Sequence, residues 1–166
     1  MDYDIAIIGY GPVGAMAANM FGSSGLNIVV IEPKKEIWNI PRAVALDGQA
    51  QRIFQSCGIS NNIPVKPIDG LTFINKKGQQ IVYVDFTDHS TPNGYSETVG
   101  FSQPNLERTL REQAESYKNI TFKLGSSLSN LVASENNNEL TVMNNVTNET
   151  EVISSKYLLA CDGADS

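Results

Sequence analysis

Asp4-Ile5-Ala6-Ile7-Ile8-Gly9-Tyr10-Gly11-Pro12-Val13-Gly14 reads as an apolar strand, a glycine-rich turn and the first turn of a helix. Gly9 permits the tight turn out of the strand, Gly11 lets backbone approach a phosphate without an intervening Cβ, and Gly14 lets the helix pack on the strand. The helix start offers free N–H groups and a positive dipole end to an anion. Asn27 to Ile31 forms the next apolar strand, and Glu32 closes it 18 residues beyond Gly14. A carboxylate placed there accepts hydrogen bonds from ribose hydroxyls. Strand, helix and acid occur together, so the stretch predicts a βαβ unit that holds a pyrophosphate and a ribose, rather than a tight turn without a ligand.

The rest of the chain sets the class. It has 166 residues, 41% hydrophobic and 18% charged, the composition of an ordered globular protein. A formal charge of −6 excludes nucleic acid and acidic membrane as favoured partners, because both repel such a field. Neither a basic leader nor a long apolar run is present, so no membrane partner is expected and the expected location is cytoplasmic. Cys57 and Cys161 lack ligand spacing; they read as buried free thiols, and no metal site is expected.

Pro33 to Arg42 lacks a period and reads as a connecting loop. From Ala43 to Cys57 apolar residues recur at helical spacing, which predicts a helix. Leu71 to Phe86 predicts a β-hairpin turning at Asn75-Lys76-Lys77-Gly78, with a further extended stretch from Ser96 to Phe101. Pro104 suits the first turn of another helix, with Leu106, Leu110, Ala114 and Tyr117 on its buried face and Glu107, Arg108, Arg111 and Glu112 on the others. Ile120 to Leu124 is the next strand. Leu128 to Ala133, Glu139 to Met143 and Thr150 to Ile153 predict an antiparallel meander, and Tyr157 to Ala160 a separate strand running into Cys161-Asp162-Gly163. A doubly wound protein continues from such a strand into another helix, so a piece of a larger protein is expected.

Four stretches, in this order, resemble the single-component flavoprotein aromatic hydroxylases. They are Gly9 to Gly14 with Glu32, Pro41-Arg42-Ala43 with Asp47-Gly48, Phe101-Ser-Gln103-Pro104 with Glu107, and Ala160-Cys-Asp162-Gly163. The likeness is nearest to the phenol hydroxylase and 3-(3-hydroxyphenyl)propionate hydroxylase branch. It implies an α/β, Rossmann-like FAD-binding fold of the glutathione-reductase type, with a β-meander crossover and an inserted piece of a β-rich substrate domain, incomplete at its C-terminal end. The implied division is 1–69 and 102–166 for the FAD/NAD(P)-binding domain and 70–101 for the substrate-domain portion.

The resemblance also implies FAD as cofactor, NADH or NADPH as reductant, dioxygen as co-substrate and a small phenolic substrate hydroxylated through a flavin C4a-hydroperoxide. By the same likeness Gly9, Gly11, Pro12, Val13 and Gly14 receive the pyrophosphate, and Glu32 with neighbouring Pro33 meets the adenosine ribose. Arg42 neutralises the pyrophosphate, whereas composition alone reads it as a solvated loop arginine. Gln103 either meets the cofactor or caps its own helix. The backbone at Leu128 meets the adenine, or its side chain is simply core, and Asp162-Gly163 handles flavin and nicotinamide. Trp38 is read either as an adenine cover or as a surface anchor. The one histidine, His89, is read as a solvated loop residue, and the catalytic base is not identified. The 166 residues by themselves are expected to retain FAD weakly and not to turn over. The readings that compete are another FAD-dependent oxidoreductase of this fold, such as an epoxidase or reductase, and a non-catalytic nucleotide-binding module; homo-oligomerisation of the full-length protein stays open.

Overall fold

A computed structural model describes residues 1–87, 91–135 and 137–163. The chain divides into two compact units, one of residues 1–39 with 107–166 and one of residues 40–106.

The first unit opens with β1 (Tyr3–Ile8), α1 (Pro12–Gly22) and β2 (Ile28–Glu32). It adds β8 (Ile120–Leu124), β9 (Ser126–Ala133), β10 (Asn138–Asn144) and β11 (Thr150–Ala160). These strands form a six-stranded sheet in the order β8-β2-β1-β11-β10-β9. The β8, β2, β1 and β11 strands run parallel, and β10 and β9 close the far side antiparallel. Alternation in β1 and β2 divides their apolar residues between two faces. Ala6, Ile8, Val29 and Ile31 pack with Leu140, Val142 and Ile153 of the meander, while Ile5, Ile7, Ile28 and Val30 are buried on the other face. Burial on both faces explains why these two strands read as continuous apolar runs.

One expected break is absent. The strands expected at 150–153 and 157–160 are a single strand, β11, whose Ser155 pairs with Asn138 of β10 and with Tyr3 of β1. The polar Ser154-Ser155 pair does not interrupt it, because Asp2 accepts hydrogen bonds from the Ser154 N–H at 2.8 Å and hydroxyl at 3.0 Å.

The second unit carries β3 (Ala45–Asp47), α2 (Gly48–Ser56), β4 (Val65–Pro67), β5 (Gly70–Ile74), β6 (Gln80–Asp85) and β7 (Thr98–Phe101). Its strands form the antiparallel sheet β3-β7-β4 and the hairpin β5-β6. The hairpin turns where expected: Asn75 Oδ1 accepts the N–H of Lys77 at 2.8 Å and of Gln79 at 3.1 Å. The helix expected from Ala43 starts instead at Gly48. Asp47 is extended and caps it by accepting the Ala50 N–H at 2.7 Å, while Ala45 to Asp47 pair with β7. Spacing that suits a helix over 43–57 thus belongs to a short strand in its first part.

The remaining helix, α3 (Gln103–Glu115), begins in the second unit and runs on into the first. Leu106, Leu110 and Ala114 are buried as expected, but so are Glu107 and Arg111, at 3% and 7% exposure. The two charges pair with each other at 2.9 Å, which is what permits their burial on a helix face read as polar. Both cysteines are free and only half-buried, not buried as expected, since each sits at the end of its element.

Candidate nucleotide-binding site

Three chain segments meet at the C-terminal ends of the parallel strands, the place where open α/β sheets bind ligands. They are the glycine turn after β1, Glu32 at the end of β2, and Cys161 to Gly163 after β11. Gly9 donates its N–H to the Ile31 carbonyl at 2.8 Å, and Cys161 donates to the Ile8 carbonyl at 2.7 Å, so the three strand ends are stitched together.

The glycines divide by what surrounds them. Gly9 has φ +95°, and a Cβ there would lie 2.7 Å from the Cys161 carbonyl carbon and 2.9 Å from Asp162 Cα. A Cβ on Gly14 would run into the Gly9 carbonyl oxygen. These two glycines permit close packing of backbone on backbone. Gly11 differs, because a Cβ there would meet nothing within 4 Å. Its φ of −71° is ordinary for any residue, so neither conformation nor packing within the protein requires a glycine. The open space beside it is what a phosphate would use.

Gly11 is also the N-cap of α1, with no side-chain cap and with Pro12 opening the helix. The N–H groups of Val13 and Gly14 therefore lack a carbonyl one turn back. Val13 is 69% exposed, so this helix start faces outward. Uncapped donors, an open glycine and a positive dipole end fit the pyrophosphate of a dinucleotide such as FAD.

Glu32 has a fixed carboxylate. Its Oε2 accepts the Tyr10 N–H at 2.7 Å, and its Oε1 accepts the Lys34 N–H at 2.9 Å. Each oxygen keeps lone-pair capacity after one such bond, which suits a pair of vicinal hydroxyls. Tyr10 is fully buried, its ring 5.2 Å from that of Phe122, and burial pushes its phenol far above the ordinary range. Burial, with the Asp162 charge second, raises the Cys161 thiol. Asp162 and Gly163 are exposed, with Gly163 at φ +100°.

The other expected residues fall as follows. Pro33 is exposed, and its carbonyl accepts Asn145 Nδ2 at 3.4 Å. Leu128 of β9 is half-buried against the meander-side core, so its side chain is a packing residue. Trp38 is 46% exposed, with Lys34 Nζ 4.8 Å from its ring centre. Within the second unit, Gln103 and Arg42 are brought together through backbone. Gln103 Oε1 accepts the N–H of Arg42 at 2.8 Å and of Ala43 at 3.0 Å. Gln103 thus spends its oxygen on the loop at Arg42 rather than on capping its own helix. His89 lies outside the described residues.

Tyr10, Glu107 and Arg111 were not expected at the site. Tyr10 and Glu107 stand in stretches that carry the resemblance without a role attached to their side chains, and the i,i+4 spacing of Glu107 and Arg111 reads equally as a surface pair. An open cavity of about 510 Å³ is lined by Lys35, Glu36 and Asn39 and, from α3, by Arg108, Glu112 and Glu115, among others; none of the residues expected to bind cofactor lines it. Among the described residues no group of three or more His, Cys, Asp or Glu is placed to hold a metal, and no helix is long and apolar enough to cross a membrane.

Comparison with known proteins gives the following likenesses. The sequence model of a family described as FAD binding domain matches residues 2–166. A 3-(3-hydroxy-phenyl)propionate/3-hydroxycinnamic acid hydroxylase of Escherichia coli O8 (strain IAI1) is 28% identical over 165 residues, which cover 98% of this chain and 29% of that protein. A protein of the same description from Shigella sonnei (strain Ss046) shows the same identity and coverage. Among solved structures, p-nitrophenol 4-monooxygenase PnpA from Pseudomonas putida DLL-E4 superposes with a TM-score of 0.89 at 19% identity, over 99% of this chain and 42% of its own. The flavin-dependent monooxygenase PieE, solved in complex with FAD and substrate, gives 0.85 at 20% identity, over 99% and 31% respectively. The chain therefore has the fold of these monooxygenases and spans less than a third of the curated relatives' length.

Proposed function

The chain belongs to the FAD binding domain family, and from that premise we propose that it is the FAD-binding portion of a monooxygenase that hydroxylates a small phenolic substrate with NADH or NADPH and dioxygen. The observation that carries the reading is the union, in one unit, of an open, uncapped glycine turn with a carboxylate whose two oxygens are already oriented by backbone N–H groups. The two curated likenesses named above, both described as 3-(3-hydroxy-phenyl)propionate/3-hydroxycinnamic acid hydroxylases, support the choice of substrate class.

In this reading Gly9, Gly11, Pro12, Val13 and Gly14 bind the pyrophosphate, with the α1 dipole opposite its charge. Glu32 accepts the ribose hydroxyls, and Pro33 continues the loop beside it. Asp162 and Gly163 contribute the third loop to the same strand-end crevice. For Arg42 and Gln103 the family resemblance assigns contacts to the cofactor, and the Gln103 bonds to the Arg42 and Ala43 N–H groups support a fixed backbone there. When bound, the flavin supplies the electron transfer and oxygen chemistry, while the protein binds, orients and excludes water.

Residues 70–101 are assigned to a β-rich substrate domain. In the hairpin the paired positions Leu71/Val84 and Phe73/Val82 set four apolar side chains on one face, and that supports a place inside a larger β layer. NAD(P)H, dioxygen and a cytoplasmic location are part of the same proposal.

The test is turnover by the full polypeptide. NADH and NADPH oxidation are followed with and without 3-hydroxyphenyl acids and simple phenols, together with chromatography of the aromatic product. Stimulated oxidation with a product bearing one added hydroxyl is expected. Flavin-dependent nicotinamide oxidation that yields no hydroxylated product would move the chain to the reductases of this fold.

A further inference from the structure

Tyr10 occupies the first variable position of the glycine turn, yet its side chain is turned wholly into the protein, with no exposed surface. One face of its ring carries the Arg111 guanidinium, whose central carbon is 4.5 Å from the ring centre, and Phe122 packs against it as well. The Tyr10 hydroxyl donates to the Arg111 carbonyl at 3.4 Å. Arg111 is held in turn by Glu107 at 2.9 Å, both being buried.

The backbone of the same tyrosine leads to the ligand side. Its N–H donates at 2.7 Å to Glu32 Oε2. A continuous line of contact thus runs from Glu107 through Arg111 and the Tyr10 ring to the carboxylate assigned to the ribose, all within one unit. A buried ion pair is a costly way to fill space, because apolar residues of like volume pack there without the desolvation penalty. What the guanidinium adds is a flat, charged plate that fixes one orientation of an aromatic ring. Fixing the ring fixes the N–H on the same residue.

We propose that Arg111 is a positioning residue for the nucleotide site: acting through Tyr10 it sets the place of the Glu32 carboxylate, and so the strength with which the site distinguishes a nucleotide by its ribose hydroxyls. The inference rests on the reading of Glu32 as the ribose acceptor.

The experiment measures, in the full polypeptide, the dissociation constants of FAD and of an FAD whose adenosine lacks the 2′-hydroxyl, by quenching of flavin fluorescence. A charge-assisted hydrogen bond to the hydroxyl gives the unaltered protein a preference for FAD of roughly tenfold or more. Arg111→Met combined with Glu107→Gln removes both charges, so that no buried carboxylate is left unpaired. It brings that ratio close to unity. Arg111→Lys keeps the charge opposite Glu107 but loses the flat plate, and it lowers the ratio as well. A loss of packing alone weakens both ligands equally and leaves the ratio unchanged. An unchanged ratio in either folded variant overturns the role of Arg111. Absence of any preference in the unaltered protein overturns the reading of Glu32 instead, and the proposal with it.

Discussion

The Tyr10 N–H and the Glu32 carboxylate are joined by a 2.7 Å hydrogen bond across 22 residues of sequence, which ties the glycine turn to the end of the second strand. The pyrophosphate and ribose portions of the site are therefore one fixed geometry, and a change at either residue is felt at the other.

Glu32→Gln tests this tie. The amide keeps one acceptor oxygen but presents an NH₂ group to one of the two N–H donors now held by Glu32. The expected cost is roughly 1–3 kcal/mol, or about 5- to 150-fold in the dissociation constant for FAD. A fluorescence titration checks it; affinity within twofold of the unaltered protein would show that Glu32 does not contact the nucleotide.

Gly11→Ala and Gly14→Ala are expected to separate ligand binding from folding. The new methyl at position 11 meets open space, so the melting temperature without ligand holds while FAD affinity falls. At position 14 it meets the Gly9 carbonyl, and overpacking of this kind costs roughly 1–3 kcal/mol of stability. Paired thermal melts and titrations report both. Equal melting temperatures for the two variants would contradict the described turn.

Much of this site was legible because its signals are local. A glycine turn between an apolar strand and a helix, followed by an acid at the next strand end, specifies its geometry within about thirty residues. The parts that were not legible depend on partners distant in sequence. Val44 and Leu46 fit helical spacing, and only the pairing of Ala45 to Asp47 with β7 makes that stretch a strand. Ser154 reads as a break in β11 until Asp2 is seen to satisfy it from the far end of the chain. Glu107 and Arg111 look like a solvated pair, and it is the Tyr10 ring above Arg111 that draws them inward.

The Asp2 contact carries a pH signature. Hydrogen bonds from the Ser154 N–H and then its hydroxyl hold the Asp2 carboxyl below its ordinary value of 3.8. The folded value lies below the unfolded one, so the stabilisation is fully present above about pH 4 and is lost as pH falls through the folded value. Denaturation midpoints of the unaltered protein should therefore decline more steeply than those of Asp2→Asn as pH falls below about 4. Parallel declines would show that the contact does not form in solution.

The most direct test of the central claim is the visible spectrum of the purified full polypeptide, followed by identification of whatever denaturation releases. The account predicts an oxidised-flavin spectrum and stoichiometric release of FAD, with Gly11→Ala and Glu32→Gln preparations carrying less. A colourless protein that takes up no FAD when titrated, but binds a nicotinamide dinucleotide, would contradict it and reassign the glycine turn to that ligand.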